Sequence, residues 1–398
     1  MSDVVIAEEI VTDVPDTAEK ILASARRLAP LLRTFTPEIE ANRRLPSDVV
    51  DELRACGVFR AAMPKSWGGA GMTSMQQTEL IETLAQGDVS SAWCSMIGMD
   101  SGIYSGFLSE KVAREVYPRL DMATSGWIHP QGRADKVDGG YLISGHWRFG
   151  SGITHCDVLV AGCLVYRDGQ LEQDPFTGKA EQWRVAVGNP RDFEIRDSWF
   201  TTGLAGSGSY DYVAKDLFIP EERTFSFAAP VRKGPLHDTP DAILRKMAGI
   251  PLGMARACLD YVRNLAIGRV DRETRGLWVD DYRVQSAIAK SEMELAAARA
   301  SVYASLQTQW EKLSENAEFS IDDRVATALA RHNAFRTARE IVHRMYDLVG
   351  GTSVYKTSPM DRWLRDANTM CQHAVAQDSI LQLTGNVLLG GKSTSPFF

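Results

Sequence analysis

Three textures follow one another along the chain. From about residue 16 to 118, apolar positions recur at helical spacing. Within 17–32, Ile21, Leu22, Ala25 and Leu28 lie three or four residues apart and so share one face of an α-helix. Pro46-Ser47-Asp48 followed by Val49, Val50 and Leu53 predicts a second helix, with Gly57 where it would stop. Residues 64–71, Pro-Lys-Ser-Trp-Gly-Gly-Ala-Gly, predict a loop, and 73–86 and 90–108 two further helices. From about 119 to 225, short β-type runs (141–144, 158–161, 183–187, 212–213) alternate with turn residues such as Asp138-Gly139-Gly140. Such spacing predicts a small antiparallel sheet, barrel or sandwich. From about 238 the helical period returns, longest over 284–313. Ser320-Ile321-Asp322-Asp323 resembles a capping box with Asp in place of Glu, and Gly350-Gly351 would end its helix.

The expected fold is mainly α with a central β-domain: an N-terminal helical domain over 1–118, a β-domain over 119–232 and a four-helix bundle over 233–398. Composition narrows the function. The chain has 398 residues, 24% of them charged, and a net charge of -7, which disfavours a nucleic-acid surface. The opening residues MSDVVIAEEIVTDVPD are acidic and do not read as a signal peptide, and no apolar run is long enough to span a bilayer. Six scattered cysteines (56, 94, 156, 163, 258, 371) form no CxxC or metal spacing and read as reduced, cytoplasmic thiols. No metal is expected.

Two Gly-Ser turns carry candidate chemistry. Gly150-Ser151-Gly152 and Gly206-Ser207-Gly208-Ser209 offer backbone N–H groups and hydroxyls without bulky obstruction, as the polar edge of a flavin requires. On these residues alone, two ordinary β-turns remain an alternative. No GxGxxG follows a predicted strand, so direct nicotinamide binding is not suggested.

Motifs in order over most of the chain resemble the acyl-CoA dehydrogenase superfamily. They are Arg44-Leu45-Pro46, Gly57-Val58-Phe59, the segment from Val137 through Trp147-Arg148-Phe149 to Gly152, Trp199 to Ser209, Asp216-Leu217-Phe218-Ile219-Pro220, and Arg362-Trp363-Leu364-Arg365-Asp366. The two Gly-Ser segments look closest to the oxygenase components of two-component flavin monooxygenases. The resemblance implies reduced FMN or FAD as cofactor, O2 as co-substrate, a C4a-hydroperoxyflavin, a separate NAD(P)H:flavin reductase and a homotetramer. It implies flavin contacts from Trp147, Phe149, Gly150, Ser151, Ser207 and Ser209, and from Arg272, Gln285, Gly350 and Gly351 of a neighbouring subunit. Trp147 and Trp199 could equally fill core.

The same resemblance bears on the reaction. An acyl-CoA dehydrogenase needs a carboxylate to remove the α-proton. The position after the final Arg-Asp holds His373-Ala374, and the other, ahead of Pro251-Leu252-Gly253, holds no Glu, with Asp241 out of register. His373 is the candidate acid–base group and Ser151 its partner at the flavin, as an imidazole titrating near neutrality would suit. Trp93, Met99, Tyr104, Trp127 and His373 are the expected substrate contacts, suited to a flat phenol- or indole-like ring. The expected activity is aromatic hydroxylation. N- or S-oxygenation, an acyl-CoA dehydrogenase or oxidase, and a non-catalytic flavin-binding protein are the alternatives.

Overall fold

The computed structural model describes residues 14–315, 317–393, 395 and 397. The acidic opening stretch therefore falls almost wholly outside the described residues.

Among the described residues, six α-helices come first: α1 (Ala18–Asn42), α2 (Ser47–Cys56), α3 (Ser74–Ala85), α4 (Val89–Gly98), α5 (Ser101–Tyr104) and α6 (Glu110–Val116). Thr17 caps α1 by accepting from the Lys20 N–H, and Ile21, Leu22, Ala25 and Leu28 are buried as their spacing predicts. The helix continues to Asn42 although it contains Pro30 and Pro37. Both prolines are exposed and lie two turns apart, so the backbone groups they leave unpaired face water. Gly57 ends α2 in the left-handed conformation, and Thr73 with Gln76 forms a complete capping box on α3.

The helix expected over 90–108 is broken into α4, α5 and a 3-10 turn over Ser105–Phe107. The break lets a row of glycines lie against other chain segments. A Cβ on Gly98 would strike the Phe59 ring, and one on Gly102 the backbone of Ala62 and Met63.

The strands are β1 (Thr124–Val137), β2 (Gly140–Gly150), β3 (Val158–Arg167), β4 (Gln170–Leu171), β5 (Trp183–Gly188), β6 (Glu194–Arg196), β7 (Tyr210–Pro220) and β8 (Thr224–Phe225). They form one sheet in the order β6-β7-β2-β1-β3-β5-β8, with β4 on β3. It is antiparallel as expected except that β1 and β3 run parallel. After the Asp138-Gly139 hairpin, β2 returns to the starting end of β1, and residues 151–157 cross there to launch β3 in the direction of β1. The crossing segment includes Ser151, so the topology places a candidate site residue at that end of the sheet.

Five helices complete the chain beyond the short α7 (Ala242–Arg245): α8 (Gly249–Gly268), α9 (Tyr282–Ser314), α10 (Asp322–Val349), α11 (Pro359–Met370) and α12 (Ser379–Leu388). Only half of the expected capping box forms at α10. Asp323 accepts from the Ser320 N–H at 2.7 Å, while the Ser320 hydroxyl donates to the same carboxylate. One continuous apolar core joins α1–α4 to α8–α11, and a second fills the sheet around Tyr141, Trp147 and Tyr212. Among the described residues, no helix is long and apolar enough to cross a membrane.

Candidate active site

The Arg-Asp signature holds the second Gly-Ser segment in place. Asp366 on α11 is buried and accepts from the Leu204 N–H at 2.6 Å. Arg365 donates to the Thr202 carbonyl at 2.5 Å and pairs with Glu40 and Asp361. The Arg365 carbonyl lies so close beneath Gly203 that any Cβ there would collide with it. Leu204 is left-handed at φ 50°, and its carbonyl accepts from Trp199 Nε1 at 2.9 Å. Burial pushes the Asp366 carboxyl up to about 7, against the pull of the Leu204 bond.

A carboxylate with a raised folded pKa costs stability that is absent below its unfolded pKa of about 3.9 and grows as pH rises toward the folded value. Asp366→Asn keeps an acceptor for Leu204 without the charge. Its melting temperature should therefore exceed the wild type's at pH 8, with the difference shrinking toward pH 4. A difference that grows toward acid would reverse the assignment. The gain is bounded at roughly 2–4 kcal/mol by the size of the shift.

The two Gly-Ser segments meet. The Gly152 N–H donates to the Ser207 carbonyl at 2.9 Å. Ser207 and Ser209 hydroxyls are 2.7 Å apart, as are those of Ser209 and Ser151. Trp93 Nε1 on α4 donates to Ser151 Oγ at 3.0 Å. Because indole is only a donor, the Ser151 proton is left to point at Ser209 or outward. Cys94 Sγ and the Ser125 hydroxyl complete the frame, on the Ser207 and Ser151 carbonyls. Neither was singled out from the sequence.

His373 packs against Trp93. Their ring centroids are 5.6 Å apart in an edge-to-face arrangement. His373 Nδ1 accepts from the Val375 N–H at 3.4 Å, which leaves the proton of the neutral ring on Nε2. The imidazole does not titrate near neutrality as the sequence suggested. Burial depresses it to about 4, and the positive charge of Arg331 adds to the effect.

Asp241 is no substitute for the missing carboxylate. It is buried and takes hydrogen bonds from Arg245 and Gln309, and the Arg245 charge and hydrogen bonds hold its carboxyl far below the usual range despite burial. A carboxylate so stabilised is a poor base.

The aromatic residues divide. Trp147 is 0% exposed, donates to the Gly162 carbonyl and stacks on Tyr212 inside the sheet core, so it walls no ligand. Strand alternation would bury Phe149 beside it. Instead the β2–β7 register slips between Trp147 and Gly150, Phe149 takes φ 63°, and the ring is 48% exposed. Phe149 meets Trp127 at 5.7 Å and Trp199 at 6.1 Å, giving an apolar aromatic surface beside the Gly-Ser turns. Trp127 Nε1 is buried there without a partner. Met99 is buried in the helical core, whereas Tyr104 packs with Phe107, Phe225 and Phe227 in a separate cluster. The expected substrate stripe is thus split, with Trp93 its member at the serines.

Arg272 lines a different cavity of about 780 Å³, with Arg269, Trp278, Arg283, Thr352 and Tyr355 among its walls. Ser151, Ser207, Ser209, Trp93 and His373 do not border it. Gly350 and Gly351 lead into Thr352 and are exposed, while Gln285 caps its own turn by donating to the Val279 carbonyl. Within one chain these residues do not join the Ser151 site.

The family description "Acyl-CoA dehydrogenase, N-terminal domain" matches residues 15–120, and "Acyl-CoA dehydrogenase, C-terminal domain" matches 246–378. The chain is 31% identical to an indole-3-acetate monooxygenase of Pseudomonas putida over 362 residues, covering 89% of each. It is 29% identical to an indole-3-acetate monooxygenase of Acinetobacter baumannii, covering 90% of this chain and 91% of that one. Among solved structures, the HsaA monooxygenase from M. tuberculosis superposes with a TM-score of 0.87 at 24% identity, over 96% of this chain and 99% of that chain. XiaF from Streptomyces sp., in complex with FADH2 and glycerol, also gives 0.87, at 21% identity over 96% and 98%.

Proposed function

The chain belongs to the acyl-CoA dehydrogenase superfamily and is a flavin-dependent monooxygenase of it, and from that premise we propose that it hydroxylates an indole-like aromatic at the Ser151–Trp93–His373 site. It uses reduced flavin. Relatives are named as an oxygenase subunit or component, in keeping with a separate reductase. Reduced flavin supplies the two electrons with which O2 is split, one oxygen atom going to the substrate and the other leaving as water.

The observation that carries the reading is the junction of the two Gly-Ser segments beneath an aromatic surface with an unpaired indole N–H. A flat apolar ring with a polar edge fits such a place. Ser151, Ser207 and Ser209 would meet the ring's polar edge, with Gly150 allowing close approach. Phe149, Trp127 and Trp199 would cover its apolar face. His373 presents an N–H donor from across Trp93, suited to holding an oxygen at the reacting end. A tetramer is part of the proposal, because it would bring Arg272 and the Gly350-Gly351 turn of a neighbouring subunit to the flavin's phosphate end, where Arg offers a fixed fork of donors. A cytoplasmic setting fits the reduced thiols.

The test supplies anaerobically reduced FMN or FAD with an indole-type substrate and then admits ¹⁸O2. One labelled oxygen atom in the product, at a yield approaching one per reduced flavin, is expected. Complete conversion of O2 to hydrogen peroxide with every aromatic offered would sink the proposal.

A further inference from the structure

We propose that Arg331 anchors a carboxylate on the aromatic substrate, an inference that rests on the hydroxylase reading above and narrows its substrate class to aromatic acids. Arg331 lies on α10 and is 2% exposed, yet Nε, Nη1 and Nη2 all lack a hydrogen-bond partner. A guanidinium is always charged and carries five donors, so burying one unpaired is among the costliest arrangements a core can contain. Folding alone gives no reason for it. Along α10 it interrupts an apolar stripe of Val325, Ala328, Phe335, Ala338 and Val342, where a Leu or Met would pack without cost.

The surrounding charges do not supply the missing partner. Among the described residues, the carboxylate whose field reaches Arg331 is Asp241, and the second cation Arg245 opposes it. Asp241 is already committed. Its Oδ2 accepts from Arg245 Nε at 3.1 Å and from Gln309 Nε2 at 2.7 Å, and its Oδ1 accepts from Arg245 Nη2 at 3.2 Å. Arg331 and Arg245 thus share one spent carboxylate, and one of the two positive charges is left uncompensated.

The place is connected to the candidate active site. Cys371, two residues before His373, donates from Sγ to the Phe335 carbonyl at 3.4 Å, one turn along α10 from Arg331. The turn of chain that carries His373 is therefore fastened to the same stretch of helix, and the Arg331 charge is felt at His373. An acid held by Arg331 would have its ring directed toward His373 and Trp93. A guanidinium grips a carboxylate through two parallel hydrogen bonds, which fix orientation as well as affinity.

Two probes of the same size separate charge from shape: indole-3-acetate and its neutral analogue indole-3-acetamide. Equilibrium binding to the full chain, without turnover, should favour the acid by on the order of 10²-fold, the scale of a buried charge pair. Arg331→Met should abolish that preference by weakening the acid and leaving the amide within about threefold. Arg331→Lys should restore part of it. Equal binding of acid and amide by the wild type would overturn the proposal without any variant, so a misfolded Arg331→Met would not shelter it. An undiminished preference in a folded Arg331→Met would overturn it too. Tight, Arg331-dependent binding with no ¹⁸O incorporation would instead fail the hydroxylase reading and leave the carboxylate site standing.

Discussion

Replacing His373 with Ala should lower the yield of hydroxylated product per reduced flavin by about 10²-fold or more, the range over which a positioned acid–base group acts. Hydrogen peroxide should rise by the matching amount, because the electrons still reach O2. The affinity for reduced flavin should stay within about threefold. That separation follows from the geometry. Trp93 lies between His373, which packs edge-to-face on its ring, and Ser151, which accepts from its Nε1, and that bond does not need the imidazole. His373→Asn retains a donor and should keep part of the coupling. Because burial holds the imidazole down to about 4, an NMR titration of the unliganded enzyme should show no ionisation of His373 between pH 6 and 8. Measuring product and peroxide in the same anaerobic-to-aerobic mix checks the coupling, and an anaerobic titration with reduced flavin checks the affinity. Wild-type coupling in His373→Ala would remove the residue from the reaction.

How much of this was readable in the sequence depends on the range of the determining interaction. Local signals read well. Gly57 and Thr73 end or start helices through backbone groups only a few residues away, and the Asp138-Gly139 hairpin is a two-residue turn whose glycine takes φ 75°. Strand β1 did not announce itself. Pro130 and Gly132 interrupt its alternation, and its register with β3 shifts between Trp127 and Gly132. Phe149 and Trp147 show the same limit at the site. Two residues apart on one strand, they appear equivalent until the β2–β7 slip buries one and exposes the other. The signature Asp366 was legible as a marker but not as a device, since its bond to Leu204 spans 162 residues. Arg331 did leave a trace, a charge at an apolar position of the α10 stripe, which periodicity could have flagged.

Asp100 is a further residue whose loss should be severe, and it sits where the helix expected over 90–108 breaks. It sits between α4 and α5, buried, with its carboxylate 2.5 Å from Nζ of the equally buried Lys246, which also donates to the Ile243 carbonyl. The pair ties the helical break to the segment just ahead of α8. Asp100→Ala would leave an ammonium in the core without its counter-charge, and removal of one partner from such a pair typically costs about 3–5 kcal/mol. Replacing both residues, as in Asp100→Leu with Lys246→Met, should cost much less, because no charge is then stranded. A double-mutant cycle by urea unfolding should therefore show strong positive coupling, and additive losses would mean that the pair is not formed. Function gives a second readout. Met99 and Tyr104 flank Asp100 on either side of the break, and α4 carries Trp93 to Ser151. A double variant that folds well but loses coupled hydroxylation would show that the ion pair fixes where α4 ends, and so where Trp93 stands, rather than how stable the protein is.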